Sequence, residues 1–368
     1  MIRHEYGGCA TCHTDPSGAG VLKPYGRAQS AILLSTRYGA ANAEAEPGPV
    51  ADFLFGAIHL PEWLLMEGWV RNGYISTSSG GTTDSRLLQM LADLAAEVEV
   101  GAFRASAELG YNAADIQLDA QQAWVTSKSG AGNLVSRTHW FGLSFGEDAG
   151  LVRAGRLNLP FGLRNIEHTM WVRSETRTDI NQDQQHGLAV AYSGEHIRGE
   201  AMAVLGNYQI NPDWYRERGY SAFGEYALGT RYAVGLSSLV THANIDMVTQ
   251  KDLLRQAHGV FVRAGPITQL AIMGEFDALL NSGAGASMQT GFTGMLQADY
   301  EPIQGVHAIV TGEMLQRAAV GEKLNTGVWL GAAWFAFPHI DVRFDAILRG
   351  GSAVPSSTTL LAQLHVYL

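Results

Sequence analysis

The residues of this chain best placed to do chemistry lie near its start. They read Cys9-Ala10-Thr11-Cys12-His13, and the sequence holds no other cysteine. C-x-x-C-H is the attachment pattern of haem c. Two thiols three residues apart add across the two vinyl groups, and the adjacent imidazole takes an axial position on the iron. Covalent anchoring lets a short segment hold a large cofactor with little core of its own. The competing readings are a disulfide, an idle thiol pair or zinc. A reactive C-x-x-C disulfide belongs in a thioredoxin-like βαβ setting, which nothing around Cys9 provides, and zinc normally takes four protein ligands. One covalent haem, with His13 as the proximal iron ligand, is the expectation.

The second axial ligand is less constrained, with His, Met or no ligand all compatible with haem chemistry. His168 is the first candidate, with Met170 beside it, because both fall in the longest connection of the chain, between Pro160 and Gln185. A long loop that folds inward can carry a ligand. His4 and His59 are alternatives, and a solvated loop histidine is the plain reading of any one of the twelve in the chain. The run Asp179-Ile180-Asn181-Gln182-Asp183, followed by His186, offers oxygen and imidazole ligands to a divalent cation, or is simply a solvated acidic loop. Gly155-Arg156-Leu157-Asn158-Leu159-Pro160-Phe161-Gly162 has the glycines of a phosphate cradle but no helix after them, and reads as a strand end turning into a loop.

These residues must be held by something, and the composition says what. Of 368 residues 46% are hydrophobic, yet the mean hydropathy is −0.02, so the apolar residues are spread rather than gathered. No run of roughly 20 apolar residues exists to make a transmembrane helix. Charged residues are 16%, glycines number 43, and Lys is nearly absent. A net charge of −10 argues against nucleic acid as a partner. The opening residues, Met1-Ile2-Arg3-His4, have no apolar signal core, so export implies a leader removed beforehand.

From Glu62 onward, polarity alternates with period two. Ile340, Val342, Phe344, Ala346 and Leu348 share one face, and Asp341, Arg343, Asp345 and Arg349 the other. Leu360, Ala362, Leu364, Val366 and Leu368 oppose Gln363 and His365 in the same way, and Leu270, Ile272, Phe276 and Ala278 oppose Gln269, Glu275 and Asp277. That is the pattern of a strand between lipid and a wet lumen. Sixteen strands follow, at about 62–77, 86–98, 101–113, 134–145, 149–158, 185–193, 196–206, 218–227, 230–240, 252–263, 266–279, 286–300, 303–315, 324–336, 339–348 and 358–368. Tight turns near Gly101, Asp148, Gly194, Gly229, Pro266, Pro302 and Pro338 alternate with long connections near Gly80, Ala120, Arg173, Asn211, Ala243, Gly283, Val320 and Val354. Short turns on one side and long loops on the other belong to outer-membrane barrels, whereas a soluble β fold has no reason to alternate so regularly. Trp63, Trp69, Trp140, Trp171, Trp214, Tyr215, Trp329 and Trp334 read as interface girdles. The predicted fold is therefore all-β, a transmembrane outer-membrane barrel over residues 51–368. A monohaem head or plug over residues 1–50 precedes it.

The motif, continuing through Asp15-Pro16-Ser17-Gly18 to Pro24-Tyr25-Gly26-Arg27, resembles the fused monohaem cytochrome–porin family. Leu159-Pro160-Phe161-Gly162-Leu163-Arg164, with His168 and Thr169 beyond, is similar to related porins with a haem-bearing head. The chain departs from such barrels in ending on Leu368, where they often end in Phe. The resemblance implies thioether sites at Cys9 and Cys12, a proximal ligand at His13, and an outer-membrane electron conduit with its haem segment periplasmic or in the lumen. Its expected partners are outer-membrane lipid, a periplasmic cytochrome c or other carrier, and Fe(II) or an extracellular cytochrome as donor. Some members are implicated as iron oxidases. The rival expectations are a passive porin or structural barrel whose haem head docks a larger complex, and a haem enzyme such as a peroxidase with an open iron position.

Overall fold

The computed structural model describes residues 2–6, 8–36, 52–112, 123–124, 133–165, 167, 169–207, 216–351 and 355–368. Strict alternation of side chains puts long segments into strands. In order they are β1 (Leu64–Ser79), β2 (Thr82–Val100), β3 (Phe103–Asn112), β4 (Asn133–Phe145), β5 (Gly150–Leu157), β6 (Gln185–Ser193), β7 (Ile197–Gly206) and β8 (Arg218–Ala227). Then come β9 (Tyr232–Ala243), β10 (Leu253–Ile267), β11 (Leu270–Ser282), β12 (Gln289–Ile303), β13 (Val306–Gln316), β14 (Asn325–Phe337), β15 (Ile340–Gly351) and β16 (Ser357–Tyr367). Each pairs antiparallel with its neighbours, and β16 meets β1 from Ser357↔Ser79 to Tyr367↔Trp69, closing a sixteen-stranded barrel without a free edge. A two-residue strand, Ala123–Trp124, adds against β4.

All sixteen expected strands are present, and period two holds through the wall. On β15, Phe344 and Leu348 are exposed outside while Asp345 is buried inside; on β13, Val310 is exposed between buried Ile309 and Thr311. Outward Phe141, Leu143, Leu188, Leu236, Leu296 and Leu330 form an apolar belt of the kind that a bilayer solvates and water does not. The loop pattern holds with one exception among the described connections, and the long connections expected near Ala120, Asn211 and Val354 lie outside the described residues. The expected long connection near Gly80 is a two-residue turn, Gly80-Gly81, with φ of 59° and 83°. Both central residues of such a hairpin turn need positive φ, and two glycines supply it without strain. The β1–β2 hairpin consequently starts and ends further out than the sequence suggests.

The tryptophan girdle needs a larger correction. Trp63 and Trp334 are exposed, but Trp140, Trp171 and Trp329 are buried inside the barrel, and Trp214 and Tyr215 lie outside the described residues. The interior offers these rings what lipid cannot. Trp329 Nε1 donates to Glu313 Oε1 (2.8 Å), Arg349 stacks 4.8 Å from the Trp171 ring and 5.3 Å from Trp329, and Arg153 lies 5.2 Å from Trp140. Outside, Tyr192, Tyr220, Tyr226, Tyr232 and Tyr300 carry the aromatic rim.

The lumen is also drier than alternation alone implies. The long connection between β5 and β6 runs inward, and its Leu159, Phe161 and Trp171 pack with Met202, Leu239 and Leu315 of the wall. Leu163, Met170 and Val172 pack with Phe223, Phe261, Met295 and Trp329. Each such side chain removed from water contributes about 1.5–3 kcal/mol.

Candidate functional site

The head occupies the mouth at which the tight turns lie. It consists of a 3-10 turn (Ile2–His4), a hairpin of His13–Asp15 with Ala19–Leu22, a helix (Pro24–Gln29) and a π turn (Ser30–Leu34). Pro24 opens the helix with φ already set and no amide left unbonded. Around the mouth the head is tied to one strand end after another. Arg3 meets Glu301 (3.0 Å) and Asp299 (3.3 Å), Glu5 meets Arg231 (3.1 Å), and Asp15 meets Arg153 (3.4 Å). Leu22 N donates to Glu67 Oε2 (2.7 Å), Arg27 to the Met66 carbonyl (2.6 Å), and Thr36 N to the Phe335 carbonyl (2.8 Å).

Within it, Cys9 to His13 form one helical turn: the amides of Cys12 and His13 both donate to the Cys9 carbonyl, at 3.1 and 2.9 Å. Both thiols are free, Cys9 half-buried and Cys12 buried. The turn is clamped from several sides. Lys23 Nζ donates to the Ala10 carbonyl (2.8 Å), Lys23 N to the Cys12 carbonyl (2.9 Å), and Arg198 Nη1 of β7 to Cys9 Sγ (3.1 Å). Gly26 presses against Cys12 so closely that a Cβ there would lie 2.7 Å from the Cys12 Cα. Only glycine allows that approach.

The electrostatics follow from burial. Burial, with Cys9 beside it, pushes the Cys12 thiol up. Burial pushes the His13 imidazole below the usual histidine range, against the opposing pull of Asp15 and the Gly20 carbonyl, and His13 Nδ1 is buried with no hydrogen-bond partner. For Asp15 burial alone would raise the carboxyl, but Arg153, Arg164 and two hydrogen bonds from Ser17 (3.0 and 2.7 Å) hold it well below the usual carboxylate range. Arg164 of the inward loop also bonds Ser17. One carboxylate thus joins head, wall and loop. Two thiols one turn apart, and a neighbouring imidazole with an orphaned buried nitrogen, are a donor set that fits thioether attachment and axial ligation.

The structure brings Cys9, Cys12 and His13 together; of the other candidate ligands, those among the described residues lie elsewhere. His4 Nε2 faces Glu301 at 3.8 Å, and His59 is exposed. Met170 is wholly buried in the lumen core, where its sulfur accepts from Asn165 Nδ2 (3.0 Å). His168 lies outside the described residues. The Asp179–Asp183 loop closes on itself: Asp179 Oδ1 accepts from Asn181 N (3.0 Å) and Asp183 Oδ2 from Asp179 N (3.0 Å). Burial, then the Asp179 charge, push Asp183 up to about 8. His186 points away to the outer face beside His139, and among the described residues no group of three or more His, Cys, Asp or Glu could hold a metal ion. Gly155–Gly162 is a strand end entering the inward loop, as its lack of a helix suggests. Sequence reading missed the anchors Arg153, Arg164, Arg198 and Glu200. Their one signal, arginines set among carboxylates on the polar faces of strands, does not say which pairs meet.

No family model matches the chain, and no curated protein matches it. Its fold is similar to that of solved outer-membrane porins. The anion-selective porin from Comamonas acidovorans superposes with a TM-score of 0.63 at 11% identity, over 83% of this chain and 99% of that one. Outer-membrane expressed OmpT of Vibrio cholerae gives 0.62 at 11% over 84% and 100%, and Salmonella typhi OmpF in complex with daunomycin 0.58 at 11% over 83% and 97%.

Proposed function

We propose that the chain is a porin-type barrel of a bacterial outer membrane. Its periplasmic mouth is closed by a head that carries one covalent haem c and docks a larger electron-transfer complex. The observation that carries this reading is the Cys9–His13 turn, with its orphaned imidazole nitrogen, fastened into the tight-turn mouth. Tight turns face the periplasm in outer-membrane barrels, and the porin-like fold agrees with that setting. Cys9 and Cys12 would hold the porphyrin through thioethers and His13 would supply an imidazole to the iron, while Arg198 and Asp15 fix the turn. The haem, when bound, supplies one-electron redox chemistry. The sequence offers one cysteine pair, so the reading has one haem, at one end of the barrel. Charge crossing its whole length then needs a further redox centre, which a docked partner brings. The partner is a periplasmic cytochrome c or similar carrier. The test is a reduced-minus-oxidised spectrum of the detergent-extracted protein: a c-type α-band is expected, and a colourless protein ends the proposal.

The filled lumen favours a second reading, a stand-alone conduit taking electrons from Fe(II) or an outside cytochrome. Proteoliposomes with a redox dye sealed inside separate the two. Dye reduction by an external donor with no partner present supports the conduit, and its absence supports docking.

A further inference from the structure

Far from the head, two histidines meet on the outside of the barrel. His139 of β4 and His186 of β6 flank one rung of β5: His139 pairs with Arg156, and Arg156 with His186. Both rings reach over that rung until their Nε2 atoms are 3.2 Å apart, with ring centroids at 5.1 Å. The remaining side of each ring is also held. Ser136 Oγ lies 2.7 Å from His139 Nδ1, and the Gly206 carbonyl accepts a hydrogen bond from His186. Gly206 stands at a bulge in β7, φ 114°, where the register slips between Val204 and Gly206. Bulges re-aim groups in this way.

We infer that His139 and His186 form a binding site for a borderline divalent transition metal such as Cu(II) or Zn(II). Two imidazole–metal bonds of about 2.0–2.1 Å whose nitrogens are 3.2 Å apart enclose about 100–105°, near the tetrahedral angle. An imidazole ligand almost always has its second nitrogen fixed by a hydroxyl, carbonyl or carboxylate, and both rings have such a partner here. Imidazole suits these metals over hard cations. With two protein ligands, the rest of the coordination shell is water. Arg156 sits between the histidines, but its guanidinium is drawn off to the Arg137 carbonyl (2.9 Å), Gln184 (3.3 Å) and Asn207. Its charge weakens the site without filling it. The pair tops an apolar strip, Phe141 and Leu143 on β4 and Leu188 and Val190 on β6, and so faces the long-loop side of the belt. It is independent of the haem.

The test is Cu(II) titration of the full-length, detergent-folded protein, followed by electron paramagnetic resonance and calorimetry, against the His139→Gln/His186→Gln double variant. The wild type is expected to bind one more equivalent than the double variant, with coupling to two nitrogens. Either single variant should lose at least tenfold in affinity, and Ser136→Ala several-fold. Heat-modifiable gel mobility checks that each variant folds. Equal stoichiometry and spectra in folded wild type and double variant would overturn the inference, leaving the pair a neutral hydrogen-bonded chain from Ser136 to Gly206.

Discussion

On β13, Val310 points out and Thr311 in, and the same alternation repeats on every strand to β16, which closes on β1. The head that fills the mouth has no such rule. Its residues are placed one at a time, Asp15 by Arg153 and Arg164, Arg3 by Asp299 and Glu301, Cys9 by Arg198. The wall is redundant, because each strand is held by two full ladders of hydrogen bonds. The head rests on a few long-range contacts, so single substitutions should unseat it while leaving the barrel intact.

The largest effect expected is all-or-none. If the proposed haem is bound, Cys12→Ala would remove one of its two thioethers and with it the full-strength c-type spectrum, while the barrel keeps its heat-modifiable mobility. A Cys12→Ala protein that retains a full α-band would remove the chemical basis for setting the head apart. Next in size is Asp15→Ala. Removing one member of a buried charge cluster costs about 3–5 kcal/mol, because the partners stay buried and uncompensated. Arg153 and Arg164 are then left to share Glu200 alone. The head should become protease-sensitive and the channel conductance should rise, with the barrel's melting temperature unchanged. Conductance no higher than in the wild type would show that the inward loop alone closes the lumen.

That loop sharpens the comparison, because it belongs to neither class. Trp329→Ala opens a cavity against Met170 and Arg349, and large-to-small changes of this kind cost about 3–5 kcal/mol. Thermal unfolding followed by tryptophan fluorescence should show the loop melting ahead of the strands. A single transition at the wild-type temperature would mean that the lumen core adds nothing to the loop's stability.

The same division decides what could be read from the sequence. Strand positions were legible because period two is a local property: Phe344 and Asp345 announce their faces without any knowledge of their neighbours. The Cys9–His13 reading rests on five adjacent residues, and what the structure adds is their burial and their anchoring in the mouth. Trp140 and Trp329 were misread as a girdle because an aromatic on a strand suits either face, and Trp171 because its loop turns inward. What put them inside was Arg153, Arg349 and Glu313, each on another strand or far along the chain. Gly80-Gly81 is itself a two-residue hairpin signal, but the Ser/Thr runs on either side of it read as loop and hid the strand ends. The ion pairs of the head span up to about three hundred residues of sequence, Arg3 to Glu301 among them, and follow only from closure of the barrel.

The smallest and most selective effect is a response to acid. His13 is depressed by burial, so the folded head prefers the neutral imidazole, while the unfolded head takes up a proton near the ordinary histidine value of about 6.5. Between those two values the unfolded state binds more protons, so stability is lost as the pH falls through that window. Asp15 is also depressed, but its contribution is lost only below the unfolded carboxylate value of about 3.9. Head release should therefore come in two stages on acidification. A first loss begins near pH 6.5 and is absent in His13→Gln, and a steeper one follows below about pH 4. Limited proteolysis of the haem-free protein across that range reads both, since an iron-bound imidazole would no longer titrate. A first stage that persists in His13→Gln would show that His13 is not the group that drives it.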